Sequence, residues 1–263
     1  MTAENTISIS IIGYNEAENL ARCLPTLDWA DEIIFVDCES EDNSLEIARR
    51  FTSKIFTRPN ERNLNINKQY GIEKSTSSWI LYLDPDEFVP SATVAWIKET
   101  IKDSGHAAYL FPRKNYMLDR WLRHGGQYPD NQLRLFKRGR ARFPCKHVHE
   151  RLEVDGSIGK SPHALIHHPY PTIEQVIRKF NFYTTFEALY LLDRMPSGLS
   201  SLNFMLFKPV FRFLKRYFFY LGFLDGYAGF IAAFFDMINF PVRYLKYIEL
   251  KRQGLSGGKE NSE

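Results

Sequence analysis

The run Trp79-Ile80-Leu81-Tyr82-Leu83 is apolar from end to end and then stops in Asp84-Pro85-Asp86-Glu87. Five consecutive apolar residues bounded by a polar turn read as a strand buried on both faces, the kind a parallel sheet needs. Ligands of open parallel sheets bind beyond the carboxyl ends of the strands, so three carboxylates stand where a ligand would sit. Crowded acids repel one another unless protons or a cation intervene, and hard oxygen donors suit Mg²⁺ or Mn²⁺ bound together with substrate phosphates. The same residues would also serve as an acidic turn leading into the next helix.

The surrounding pattern repeats this plan. Ile7–Gly13 and Ile33–Asp37 are rich in β-branched residues and read as two further strands, and Lys54–Thr57 as a short third. Helical patterns separate them: Leu20, Leu24 and Leu27, then a helix from an N-cap at Asp42, Asn43 or Ser44 towards Arg50, then one from Asn63 to Lys74. Strands alternating with helices predict an α/β fold around a mostly parallel, Rossmann-like sheet. The first strand–helix turn, Gly13-Tyr14-Asn15-Glu16, has one glycine where a dinucleotide fingerprint needs three, and no Gly-Lys-Ser/Thr loop occurs. Hydride transfer and P-loop phosphoryl transfer are therefore disfavoured. Polar side chains at the strand ends remain able to hold a nucleotide: Asp37 can accept from a ribose or a base edge, and Lys68 can meet a phosphate, or else is an ordinary solvated helix lysine.

Charge and cysteine usage narrow the class. A net charge of +3 over 263 residues does not suit a nucleic-acid partner. Cys23, Cys38 and Cys145 are scattered and odd in number, which suits a reducing compartment rather than a disulfide framework. The first residues lack the basic and apolar regions of a signal peptide.

Four blocks in order, Ile9–Glu16, Ala30–Asp42, Asn67–Gly71 and Trp79–Glu87, resemble family 2 inverting glycosyltransferases with the GT-A fold. The resemblance implies a nucleoside diphosphate sugar donor, with Asn15 and Glu16 lining its pocket and Asp37 facing a uridine. It makes Asp84-Pro85-Asp86 the Asp-x-Asp signature, with Asp84 near ribose and metal and Asp86 on the metal. Pro85, Glu39 and Glu41 depart from the commonest residues of the family but leave both aspartates of the signature intact.

Downstream, a helix is expected near residues 91–102 and a strand at Ala108–Pro112. A basic, aromatic and glycine-rich block then leads to Tyr128-Pro129-Asp130-Asn131-Gln132-Leu133-Arg134-Leu135-Phe136, where Leu133–Phe136 alternates like a strand and Asp130 falls on the turn before it. Together with Val148-His149-Glu150 this block resembles the bacterial lipo-oligosaccharide or lipopolysaccharide inner-core β-1,4-glucosyltransferase subgroup. By that resemblance Asp130 is the general base, with Gln132 and Arg134 supporting acceptor or diphosphate. His149 is read as completing the metal or diphosphate shell; it serves equally as a packed, hydrogen-bonded histidine. His167-His168 precedes a Pro-Tyr-Pro turn that closes a catalytic domain over residues 1–171.

Thr172 to Asp193 reads as a helix capped by Thr172, and residues 172–253 as a helical, membrane-associating extension before a disordered tail, 254–263. Residues 203–252 hold eight basic side chains against Asp225, Asp236 and Glu249, interleaved with phenylalanine and tyrosine. A transmembrane reading of Tyr217–Phe235 would place Asp225 near mid-bilayer at a cost of roughly 2.5–3.5 kcal/mol. An interfacial helical hairpin on anionic lipid fits better; the alternative is that these aromatics pack on the catalytic domain. The expectation is a metal-dependent inverting hexosyltransferase, using UDP-glucose on a lipid-linked core oligosaccharide, peripheral on the cytoplasmic face of the inner membrane. Its rivals are transfer to polyprenyl-phosphate and a non-catalytic membrane adaptor.

Overall fold

The computed structural model describes residues 5–61, 63–146, 150–194 and 201–254. They form two compact units. The first comprises the chain up to Lys114 together with Asp130–His167; the second comprises Asn115–Pro129 and the chain from His168 onward.

The first unit opens with β1 (Ile7–Gly13), α1 (Ala17–Cys23), β2 (Glu32–Asp37), α2 (Ser44–Arg49), β3 (Ile55–Thr57), α3 (Leu64–Lys74) and β4 (Trp79–Leu83). β5 (Glu87–Phe88) and α4 (Ser91–Thr100) follow, then β6 (Ala108–Met117), β7 (Arg120–Trp121, within the second unit's Asn115–Pro129), β8 (Asp130–Lys137), β9 (Ala141–Arg142), β10 (Glu153–Val154), β11 (Ile158–Lys160) and β12 (Leu165–Tyr170). The main sheet runs β3-β2-β1-β4-β8-β6-β12-β5, with β7 and β11 joined to β6. Its N-terminal half is parallel, as the alternation of strands and helices requires. β8 enters antiparallel to both β4 and β6. The short β9 and β10 pair separately.

Burial follows the pleat. Trp79, Leu81 and Leu83 join Ile7, Ile9, Ile11 and Phe35 in one apolar cluster, whereas Ile80 and Tyr82 join Ile72 and Phe136 in another. The sheet is therefore covered on both faces, and this is why β4 is apolar without interruption. α3 lies close on the sheet at Gly71: a Cβ there would meet Ser10 Oγ at 2.5 Å. That approach fixes the height of Lys68 above the sheet.

The Leu133–Phe136 alternation is broken. Tyr109 pairs with Leu135 but Leu110 pairs with Leu133, so Arg134 is the extra residue of a β-bulge. Leu133 accordingly packs with the Tyr82 cluster and Leu135 with the Leu81 cluster, on opposite faces. Asp130 is the first residue of β8 rather than a turn residue, because it pairs with Arg113 across β6. His167 and His168 lie inside β12, and the turn expected after them falls at residues 171–172.

In the second unit, α5 (Ile173–Arg194) begins at Thr172, whose Oγ1 accepts from Gln175 N at 3.2 Å. π-helical turns at Asn203–Phe207 and Lys215–Phe219 bracket α6 (Lys208–Leu214), and a 3-10 turn, Gly222–Asp225, leads into α7 (Gly226–Arg252). Among the described residues no single helix is long and apolar enough to cross a membrane; the pair Asn203–Phe219 and Gly222–Arg252, bent by 71°, passes by length and composition only.

Candidate active site

The loops that follow β1 and β2 are tied together by side chains. Asn15 adopts a left-handed φ of 54°. Its Oδ1 accepts from Glu41 N at 2.8 Å and Asp42 N at 3.3 Å, and its own N donates to Ser40 Oγ at 3.0 Å. Glu16 N donates to Ser44 Oγ at 2.9 Å while its carboxylate accepts from Asn19 Nδ2 at 2.6 Å. Asp37, fully buried as the last residue of β2, takes Ser40 N on both oxygens at 3.3 Å. These three residues thus form a built rim at the ends of two neighbouring parallel strands, the position at which such sheets receive ligands.

Beyond β4 the acids divide. Asp84 is held by three partners: Tyr82 Oη donates to Oδ1 at 2.5 Å, Arg134 Nη2 donates to Oδ2 at 2.5 Å, and Lys68 Nζ lies 3.6 Å from Oδ1. Burial opposes its charge, but Arg134 and Lys68 outweigh it and hold the carboxyl well below the usual range. Burial also works against the Lys68 ammonium, yet the Tyr82 hydroxyl and Asp84 beside it leave its pKa above the ordinary lysine value. Lys68 and the Arg134 guanidinium both stand over the Tyr82 ring, at 5.0 and 4.6 Å from its centroid.

Glu87 joins this group to a second one. Fully buried, it accepts from Arg134 Nη2 at 2.6 Å, from Arg113 Nη1 at 2.9 Å and from Asp84 N at 3.1 Å. Arg113 in turn holds Asp130, with Nε at 2.9 Å and Nη2 at 2.7 Å from Oδ2, and Gln132 Nε2 donates to Asp130 Oδ1 at 2.7 Å. A chain of ion pairs and charge-assisted hydrogen bonds therefore runs Lys68–Asp84–Arg134–Glu87–Arg113–Asp130. The bulge in β8 aims Arg134 into it, and the Arg113–Asp130 register closes its far end. Arg113 and Tyr82 carried no role in the sequence reading, and Glu87 only a place among the three crowded acids. The signal was faint: an acid left over beside the Asp-x-Asp, and one arginine in a block already dense with them.

Asp86 belongs to neither group. It is buried, and its Oδ1 lies 3.3 Å from His167 Nε2. β12 brings the histidine there by pairing antiparallel with β5, His167 opposite Glu87. Among the described residues no cluster of three or more His, Cys, Asp or Glu gathers at one point. His149, the histidine expected near the metal, lies outside the described residues. A divalent ion still fits here. Cis donors of an octahedral ion with bonds of 2.0–2.1 Å lie roughly 3 Å apart, the spacing of Asp86 and His167, and Mg²⁺-type sites take much of their coordination from substrate phosphates and water. Asp84, by contrast, has both oxygens engaged by Tyr82, Lys68 and Arg134.

The chain is 26% identical over 240 residues to the lipopolysaccharide core biosynthesis glycosyltransferase LpsC of Rhizobium meliloti, covering 86% of each chain. It is 27% identical over 263 residues to an uncharacterised glycosyltransferase of Rickettsia felis, covering 93% of this chain and 89% of that one. Among solved structures, S. aureus TarS 1–349 in complex with UDP matches at 13% identity and a TM-score of 0.48, over 95% of this chain and 92% of that one. The mannosyltransferase PcManGT of Pyrobaculum calidifontis, in complex with GDP-Man and Mn²⁺, matches at 13% identity and a TM-score of 0.47, over 95% and 76%. The family model of glycosyl transferase family 2 matches residues 8–153, more than half of the chain and a span that includes Asp37, Asp84, Asp86 and Asp130: this chain belongs to that family.

Proposed function

We propose that this family 2 glycosyltransferase moves a hexose, glucose from UDP-glucose, with inversion onto a hydroxyl of a lipid-linked core oligosaccharide, working peripherally at the cytoplasmic face of the inner membrane. The observation that carries the reading is Asp130, a carboxylate oriented by Arg113 and Gln132 and joined by unbroken ion pairs to the first aspartate of the Asp-x-Asp. The core-oligosaccharide acceptor is supported by the likeness to LpsC, the reducing compartment by three cysteines that are all free.

In this reading Asp130 takes the proton of the acceptor hydroxyl as that oxygen bonds to C1 of the sugar. The C1–oxygen bond to the diphosphate breaks on the opposite face, UDP leaves, and the anomeric centre inverts with no covalent sugar–enzyme intermediate. A positioned carboxylate typically contributes about 10²–10⁴-fold to such a step. Arg113 on Oδ2 and Gln132 on Oδ1 fix the plane of the carboxylate. Asn15, Glu16 and Asp37 shape the nucleoside rim, and Lys68 and Arg134 keep Asp84 ionised beside the ribose. Asp86 and His167 would hold Mg²⁺ or Mn²⁺, which when bound offsets the charge of the leaving diphosphate.

The test is UDP release across a panel of UDP-sugars, with Mg²⁺ or Mn²⁺ and a lipid-linked core oligosaccharide extract. UDP-glucose is expected to give the highest acceptor-dependent rate. Asp130→Asn should keep UDP-sugar binding and lose transfer; transfer by Asp130→Asn at the wild-type rate removes Asp130 as the base.

A further inference from the structure

We propose that the bend between α6 and α7 is a preformed membrane-docking wedge whose partner is an anionic lipid surface, its apolar tip at Phe218–Leu224 entering the acyl boundary. This extends the reading of a lipid-linked acceptor but stands on different residues.

The first observation is what the second unit leaves uncovered. Leu206, Phe207, Val210, Phe211, Leu214 and Phe218 recur at helical spacing and are all exposed. The stripe runs into the tip, where Phe219 is 77% exposed and Tyr220, Leu221, Phe223 and Leu224 stand out beside it, and continues along α7 through Tyr227 and Phe230. Monomeric soluble proteins rarely leave contiguous apolar patches this long open to water.

The second observation concerns charge. Between Phe204 and Phe235 the only acid is Asp225. It is 5% exposed and turned inward, accepting from His124 N at 2.8 Å and facing His124 Nδ1 at 2.7 Å. The cost that a bare aspartate would bring to lipid is thereby removed within the fold. Asp236, the next acid, is covered by both Arg212 and Arg216. The cations that remain at the flanks of the tip are Lys208, over the Phe204 ring at 3.9 Å, and Lys215, over the Tyr220 ring at 5.4 Å. Each holds its ammonium against a ring face, so basic charge and aromatic surface lie side by side at the flanks, as in interfacial segments.

The third observation is that the tip is built rather than slack. Leu221 takes a left-handed φ of 58° and Gly226 one of 64°. Gly125 N donates to Tyr220 O at 2.7 Å, and Arg216 Nη1 donates to Gly125 O at 3.0 Å. The aromatics are therefore held outward before any partner arrives, which lowers the ordering cost of docking. A second copy of the chain fits this surface poorly, because residues 203–252 carry eight bases against three acids and would meet their own charge. Anionic headgroups complement it.

The experiment uses the full chain and vesicles of phosphatidylglycerol and phosphatidylethanolamine. Flotation should carry the wild type with these vesicles, more weakly with pure phosphatidylcholine and more weakly in high salt. The triple variant Phe219→Ser, Phe223→Ser, Leu224→Ser should lose about 10-fold or more of the partitioning. Phe219→Trp should blue-shift and be quenched by brominated acyl chains relative to the wild type. Wild-type flotation by the triple variant, or an unquenched Phe219→Trp, overturns the proposal. So does a dimer in sedimentation equilibrium that the triple variant abolishes while vesicles bind neither protein. Wild-type circular dichroism of the triple variant certifies its fold. Loss of UDP release with flotation intact would count against the proposed reaction and leave the wedge standing.

Discussion

Replacing Glu87 by glutamine removes one negative charge and leaves the side-chain shape almost unchanged. In the native site one oxygen takes Arg134 Nη2 at 2.6 Å and Arg113 Nη1 at 2.9 Å, and the other takes Asp84 N at 3.1 Å. A glutamine carbonyl can keep one of these roles. Its amide group must then point a donor either at two guanidiniums or at a backbone N–H. Removing one partner of a buried ion pair costs about 3–5 kcal/mol. Each arginine retains a second carboxylate, Asp84 for Arg134 and Asp130 for Arg113, so the lower end applies, about 3 kcal/mol. For a chain of this size that lowers Tm by roughly 6–12 °C. The assay is thermal and urea unfolding by far-UV circular dichroism, run as a double-mutant cycle with Arg113→Met, whose coupling to Glu87→Gln should exceed about 1 kcal/mol. Because Arg113 also orients Asp130, turnover should fall more than donor affinity does. A Glu87→Gln protein within about 0.5 kcal/mol of the wild type, the range of an ordinary surface change, refutes the reasoning.

Other outcomes follow from the same structure. Burial opposes the charge of Glu32, but Lys54, Ser8 and Thr76 bind its carboxylate and hold its pKa down to about 2 from 4.5. Its folded pKa is the lower one, so its stabilisation is complete above pH 4.5 and is lost as pH falls towards 2. Glu32→Gln should flatten that acid limb by about 3 kcal/mol in denaturant titrations at stepped pH, and an unaltered limb contradicts the assignment. His167→Ala should raise the Mn²⁺ concentration giving half-maximal UDP release by about 10–100-fold; an unmoved midpoint removes His167 from the ion. Gly229→Ala sets two effects against each other. Helix propensity favours alanine by about 1 kcal/mol, but a Cβ at Gly229 would meet Gly222 O at 1.9 Å. Overpacking against backbone costs about 1–3 kcal/mol or more, so a lower Tm is expected, and a higher one would mean that the bend does not need the close approach.

The strand ends that carry Asp37 and Asp84 were legible because their determinants are local. β-branched runs ending in Asp37 and Asp84 state both the strand and the chemistry at its end, and the helices between them follow from spacing and caps. Even there the detail differed: Asn43 sits at the N-cap of α2 without a side-chain bond, while Asp42 ties Ser44 and Ala17. What failed to show was long-range register. Nothing in residues 165–170 tells that His167 will lie opposite Glu87, and nothing near Asp130 tells that Arg113 will face it. Asp225 shows the same limit. Counted alone it weighs against burial in lipid, and its partner His124 lies 101 positions away.

The bulge at Arg134 gives this strand a change of phase. Residues before it and after it obey opposite parities, so two leucines separated by one residue face opposite sides of the sheet. Deleting Arg134 would run Leu133 directly into Leu135, and these two already pair with the successive residues Leu110 and Tyr109, so every other side chain of the strand would keep the face it has. The ladder spares the residue geometrically; what the deletion withdraws is the guanidinium between Asp84 and Glu87. One inserted residue is thus the means by which an otherwise regular antiparallel ladder presents an arginine without disturbing the facing of Asp130 on one side of it or Leu135 on the other.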